Sequence, residues 1–183
     1  HVDHGIGRLV AQVPENTIIV FTSDNGGDVS DNTPLRADKG SMYEGGIRVP
    51  LIVAGPGVQG GRRSTTPCQS IDLVPTLLDL CDVAVPTNLD GRSLADELRG
   101  GDAIDRTRLH WHFPAYIGRN TPSSVMREGH WKIIESLEDG SVELYDLASD
   151  PGETTDLAER EPARTRVMLT ALKSWQRETN APG

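Results

Sequence analysis

Positive charge is scarce in this 183-residue chain: 18 Lys and Arg stand against 27 Asp and Glu, a formal net charge of −9. A general nucleic-acid binder needs a basic surplus to neutralise phosphates, so that class is excluded. A single local anion site needs only one or two well-placed cations and is not excluded. Nor does any apolar run approach the ~20 residues of a membrane-spanning helix. Cysteine is almost missing. Cys68 and Cys81 form neither a C-x-x-C pair nor a zinc spacing, and read as small buried apolar residues. Repeats and low-complexity segments are absent as well. What is left, 36% hydrophobic and 25% charged residues, is the composition of a soluble globular protein.

Periodicity divides the chain into two kinds of segment. Val2, Ile6, Leu9, Val10 and Val13 recur at helical spacing, which predicts a helix over residues 1–13 packed on one face. Thr17 to Thr22 (TIIVFT) and Val49 to Ala54 (VPLIVA) are short apolar runs bounded by turn residues. They read as strands buried on both faces, as in a parallel sheet covered by helices. A helix capped by Ser70 or Asp72 is expected through Leu80, with Pro75 tolerated in its first turn, and a shorter one around Ser93 to Leu98. Beyond Gly100–Asp105 the pattern changes. Leu109–Phe113, Ser124–Arg127, Trp131–Glu135 and Val142–Tyr145 are short runs separated by turn residues, the signature of an antiparallel sheet. Pro162 suits a helix start, and Met168, Leu172 and Trp175, with Val167 and Ala171 beside them, line one face of a terminal helix. The expected class is α/β: residues 1–104 belong to a parallel-sheet lobe, and residues 105–183 form a small antiparallel β-subdomain with a packed terminal helix.

Candidate chemistry sits just after the first strand. Open α/β sheets place ligands beyond the carboxyl ends of their strands, and Asp24 and Asn25 stand there, each offering a hard oxygen. Such donors suit Ca²⁺ or Mg²⁺. Gly26 and Gly27 let the backbone turn at once. Asp-Asn-Gly is equally ordinary turn chemistry, and Lys39 alone reads as a solvated loop lysine. Lys39 ahead of glycine-rich backbone, beside a metal site, would instead hold the oxygens of a tetrahedral anion and stabilise charge on a leaving oxygen.

The string T-S-D-N-G-G, followed by K-G-S-M-Y-E-G-G-I-R-V-P-L-I-V, resembles the type I sulfatase family. I-D-L-V-P-T-L-L-D-L, W-H-F-P-A-Y, R-E-G-H-W-K-I-I and E-L-Y-D-L-A-S-D-P-G-E-T-T-D-L-A resemble the same family in the same order. That resemblance implies an alkaline-phosphatase-like α/β fold with a small C-terminal β-subdomain. It implies Asp24 and Asn25 as ligands of a divalent cation, usually Ca²⁺ and less often Mg²⁺, and Lys39 as a catalytic and sulfate-contacting lysine. Glu44, Gly45, Gly46 and Arg48 match the motif as scaffold: fixed hydrogen bonds for Glu44 and Arg48, close backbone approach for the glycines. The implied reaction is hydrolysis of a sulfate monoester, on a small molecule or a glycan. Two other readings stay open: a phosphonate or phosphate ester hydrolase of the same superfamily, and a non-catalytic anion- or glycan-binding remnant. Periplasmic or secreted localisation follows from family habit alone.

Members of that family carry a formylglycine nucleophile made in C/S-x-P-x-R and take two more ligands from an Asp-Asp pair. Neither motif occurs in these 183 residues. The chain opens at His1 within an amphipathic pattern, so both are expected upstream of it, and the chain alone is expected to be inactive. His112 is a candidate contact for the sugar or leaving group, with His110 on the same strand face and Trp111 on the other. Tyr116 and Arg119 are weaker candidates for a pocket mouth. His1 and His4 read as a solvated helix face, Arg127, Trp131 and Lys132 as packing and surface, and the acidic stretch Glu153 to Glu161 as a solvated turn and helix start.

Overall fold

The computed structural model describes residues 1–29, 31–116 and 121–182. By contact the chain forms two compact units: His1–Thr22 with Pro50–Arg106, and Ser23–Val49 with Thr107–Gly183. The later crossing, Arg106 to Thr107, falls next to the boundary expected at 104/105. The stretch 23–49, grouped with the α/β part by sequence order, makes its contacts within the second unit.

In the first unit, α1 runs from Val2 to Val10 and β1 from Ile19 to Thr22. β1 pairs with β2, Leu51–Ala54, in the register Ile19↔Ala54 to Thr22↔Leu51. Here the sequence reading needs correction, because the two strands are antiparallel and Phe21 and Ile52 are exposed. A β-branched apolar run specifies an extended chain with something to bury; it does not specify the direction of its neighbour. The α1 stripe is likewise present but exposed, with none of its residues buried.

Downstream, a 3₁₀ turn over Ser70–Asp72 leads into α3, Leu73–Leu80, and α4 spans Ala95–Leu98. (The intervening α2 belongs to the second unit.) Asp72 is the electrostatic hub. Its carboxylate, fully buried, accepts bidentate bonds from Arg106 and the backbone N–H groups of Gln69 and Arg92, each of these two at 2.8 Å. Burial alone would raise its pKa, but Arg106 and the two amides outweigh that and hold it below the usual carboxylate range.

The second unit is built on an antiparallel meander, β3 (Arg108–Phe113), β4 (Ser123–Glu128), β5 (Trp131–Ser136) and β6 (Val142–Asp146), in the spatial order β3-β4-β5-β6. Alternation along the strands creates two apolar faces. Met126, Ile133 and Leu144 pack against Met168 and Leu172 of α5, Pro162–Glu178. Val125, Ile134 and Tyr145 form the other face with Leu147, Met42, Tyr43 and Trp111. α5 starts on Pro162 as expected, but Val167 points to solvent while Ala171 joins the core.

Two further expectations are corrected on the Tyr145 face. Lys132 is 0% exposed rather than at the surface, and Glu153 is 0% exposed rather than solvated. Lys132 occupies an inner strand directly opposite Tyr145, so strand alternation carries it inward. Its Nζ lies 3.0 Å from Glu44 Oε1 and 2.8 Å from Glu153 Oε1. Glu44, 2% exposed, begins the short helix α2, Glu44–Ile47, which sequence pattern did not reveal. Its backbone N–H donates to Glu153 Oε2 at 2.6 Å. Burial pushes the Glu153 carboxyl above its ordinary pKa, against the opposing pull of Lys132.

Asp72→Ala, which strands Arg106 without its partner, is expected to cost about 3–5 kcal/mol, measured by chemical denaturation. Because the folded-state pKa of Asp72 is depressed, its contribution is complete above the unfolded carboxylate pKa. It fades as pH falls through the lowered value. A wild-type stability that stays flat down to the acid limit would contradict this.

A glycine-seated turn bearing Asp24, Asn25 and Lys39

Immediately after β1 the chain turns: Ser23 Oγ donates to the Asn25 carbonyl at 2.8 Å. Asp24 is exposed and Asn25 half-buried. The next residue is fixed from below, since Gly26 N–H donates to the Gly46 carbonyl at 2.8 Å. A Cβ on Gly26 would lie 1.7 Å from the Gly45 carbonyl oxygen, an impossible approach for any other residue. Gly45 and Gly46 are equally confined. Their Cβ atoms would meet the Ala37 and Ser41 carbonyl oxygens at 2.2 and 2.1 Å. These three glycines therefore form a backbone-on-backbone seat, as the motif reading expected for the Glu44-Gly45-Gly46 segment.

Lys39 is tied to the same seat. Its N–H donates to the Gly27 carbonyl at 3.2 Å, and Gly40, at φ +86°, turns the chain behind it. Asn32 reinforces the loop, with Nδ2 donating to the carbonyls of Gly27 at 3.0 Å and Ala37 at 3.1 Å. The fold thus brings the Lys39 main chain to within two residues of Asn25, leaving the Lys39 side chain exposed. The main chain brings the backbone of Lys39 next to the turn that carries Asp24 and Asn25.

His112 is held elsewhere. Its Nδ1 is within hydrogen-bond distance of Ser124 Oγ, 2.5 Å, and its ring meets Trp175 edge-on at 6.5 Å. His110 stacks on the same indole at 4.6 Å, while Trp111 packs on the opposite face. Both histidines accordingly share one side of β3, as alternation predicted, and that side is covered by α5. Tyr116 is exposed, and Arg119 lies outside the described residues. His1 and His4 are exposed on α1. Among the described residues no group of three His, Cys, Asp or Glu side chains is arranged to hold a metal. The donor chemistry of Asp24 and Asn25 fits a hard cation as two of the 6–8 oxygens calcium takes.

Sequence reasoning missed Lys132 and Glu153. The available signal was the register of Lys132, two residues before Ile134 on an inner strand. Glu153 carried none, because D-P-G-E reads as a surface turn.

A family model described as "Sulfatase" matches residues 1–83, which include Asp24, Asn25 and Lys39. A sulfatase of Formosa agariphila is 38% identical over 200 residues, spanning 98% of this chain and 36% of that protein. Arylsulfatase K of Mus musculus is 33% identical over 168 residues, spanning 87% of this chain and 30% of its own length. The chain belongs to the sulfatase family. It is also similar in structure to a protein solved with its substrate D-glucosamine-2-N,6-O-disulfate, at TM-score 0.82 and 28% identity over 99% of this chain and 40% of that one. A phosphonate monoester hydrolase from Silicibacter pomeroyi matches at TM-score 0.72 and 25% identity, over 96% and 39% of the two chains. The expected alkaline-phosphatase-like fold is shared with solved neighbours that include a 2-O GAG sulfatase, at TM-score 0.81 and 26% identity over 97% of this chain and 40% of that one. The chain spans about a third of the length of the sulfatases it matches in sequence.

The glycine seat of this sulfatase chain is testable without any ligand. Gly26→Ala forces the Gly45 carbonyl aside and is expected to cost about 1–3 kcal/mol. Gly5→Ala, in the middle of α1 with nothing within 4 Å of the added methyl, is expected to stabilise by about 0.5–1 kcal/mol. Thermal unfolding of the two variants should move in opposite directions.

Proposed function

We propose that the protein containing this chain hydrolyses sulfate monoesters, with Asp24 and Asn25 as part of a divalent-cation site and Lys39 as the clamp on the transferring group. The observation that supports this reading is the glycine-seated turn, whose Gly27 carbonyl, two residues beyond Asn25, accepts the Lys39 N–H in a chain of the sulfatase family. Ca²⁺ is the preferred ion, because both donors are hard oxygens. When bound, it supplies fixed positive charge against the oxygens of a sulfate group.

The chain's own residues divide the remaining work. Asp24 contributes a full negative charge and Asn25 a neutral carbonyl. The Lys39 ammonium carries no competing ion pair within 4 Å among the described residues, and is free to follow charge as it builds on the leaving oxygen. Such an oxyanion contact acts mainly in the transition state. The loop is held by main-chain bonds, so the placement of Lys39 relative to the turn costs little reorganisation during the reaction. His112 stays a candidate contact for the sugar or leaving group: Ser124 engages its Nδ1 and Trp175 meets its ring, while its buried Nε2 has no hydrogen-bond partner among the described residues.

A sulfated carbohydrate is the proposed substrate class, on the strength of the disulfated glucosamine bound by a solved neighbour. The phosphonate monoester hydrolase neighbour supports a second reading, hydrolysis of a phosphonate ester at the same turn. Parallel assays of 4-nitrophenyl sulfate and a 4-nitrophenyl phosphonate ester on the full-length protein decide between them.

In the full-length protein, Asp24→Ala is expected to abolish calcium binding by calorimetry together with turnover. Lys39→Ala should reduce kcat by about 10²-fold or more with unfolding unchanged. Wild-type rates in both variants would remove the assignment. The 183-residue chain alone is expected to release no 4-nitrophenol from its sulfate ester; turnover above a buffer blank would contradict that.

A further inference from the structure

We infer that Lys132 and Glu153, remote in sequence from the turn, are positioning residues that set the geometry of Asp24, Asn25 and Lys39 through Glu44. The inference extends the proposed sulfate-ester site, but its structural content stands on contacts within this chain.

A buried charge is costly unless paired, and an apolar side chain of similar volume would fill the same space at less cost. Three fully or nearly fully buried ionisable groups meet at one point, so packing alone does not account for them. Each engages Glu44 or its neighbours. Lys132 fixes the Glu44 carboxylate at 3.0 Å, and the Glu153 carboxylate receives the Glu44 backbone N–H at 2.6 Å. Side chain and main chain of one residue are thereby both clamped.

Glu153 is itself held in a left-handed backbone conformation, φ +51°, which a glutamate adopts only when its surroundings enforce it. Part of the enforcement comes from Arg36, which donates to the Glu153 carbonyl at 2.9 Å. Arg36 in turn accepts, at its own carbonyl, the Gly45 N–H at 2.9 Å. The clamp closes on the next two residues of α2.

Those residues, Gly45 and Gly46, are the seat of Gly26. With no Cβ on either side, the contact transmits displacement without a deformable side chain in between. A tilt of α2 moves the Gly46 carbonyl, and with it the Gly26 N–H that anchors the Asp24–Asn25 turn. Gly27, the next residue, accepts the Lys39 N–H, so the clamp sets both halves of the site together. Arg48 adds a weaker contact from the solvent side, 3.8 Å from Glu44 Oε2.

The deciding experiment compares wild type with Lys132→Met and with Lys132→Met/Glu153→Gln. The double variant removes the second carboxylate that the single variant leaves unpaired, and is read where the single variant does not fold. Amide hydrogen exchange is measured in the chain itself. Protection at Gly26, Lys39 and Gly45 is expected to fall at least tenfold, while protection across β4, β5 and β6 is kept. Unchanged protection at those three amides, in a variant whose sheet is intact, overturns the proposal. In the full-length protein the same variants should lose calcium affinity and kcat at least tenfold, with KM changed less, and unaltered calcium affinity and kcat also overturn it. Failure of the wild type to cleave a sulfate ester removes the proposed function, yet the exchange measurement still decides whether Lys132 and Glu153 position the turn.

Discussion

Gly26 and Gly45 approach so closely that a single methyl group would lie 1.7 Å from a carbonyl oxygen. The turn that carries Asp24 and Asn25 depends on that approach. It permits the Gly26 N–H to reach Gly46 O, and it puts Gly27 where both Lys39 and Asn32 bond its carbonyl. Main-chain contacts of this kind have no rotamers to adjust. A turn built on them is either in register or lost, which suits the proposed site, where the oxygens of Asp24 and Asn25 would converge on one cation.

The seat needs a foundation, and the antiparallel meander supplies it. One sheet face packs Met126, Ile133 and Leu144 against α5, beside His110, His112 and the buried Glu135. The other mixes Val125, Ile134 and Tyr145 with charge and hydroxyl groups. Arg36 lies over the Tyr43 ring at 3.8 Å and donates to the Tyr145 hydroxyl. Both tyrosine hydroxyls donate to Glu143, at 2.7 and 2.9 Å, and burial beside that carboxylate raises their pKa beyond the usual tyrosine range. Loop 36–47 is consequently fastened to the sheet by polar groups with directional demands. An apolar contact would hold it as tightly but would define its position less sharply.

Much of this was legible from residue pattern. Strand runs in the second unit and the proline-started α5 follow from local rules that the structure obeys, and the close approach at Gly45–Gly46 followed from the motif resemblance. The Asp24–Asn25 turn and Lys39 read alone as ordinary turn chemistry and a solvated lysine; the strand end, the glycine cluster and the resemblance to the sulfatase motif together singled them out. The direction of the β1–β2 pair was not, since an apolar run records burial and leaves pairing open. Lys132 and Glu153 were opaque for a deeper reason. A lysine or glutamate is buried only by partners far away in the chain, and nothing in the sequence hints that Lys132 and Glu44, 88 positions apart, meet. The short α2 escaped notice because two consecutive glycines argue against a helix, and only tertiary contacts hold one there.

The stack of His110 on Trp175 has an optical consequence. An indole in parallel contact with an imidazole, at 4.6 Å and 8°, emits less light once that ring takes up a proton. Burial comes first in lowering the His110 pKa, with the nearby Arg108 charge adding to it. Emission from Trp175 therefore stays bright to more acidic pH than an exposed histidine would allow, for as long as α5 remains docked. The terminal helix carries its own spectroscopic signal for whether it is seated on the sheet.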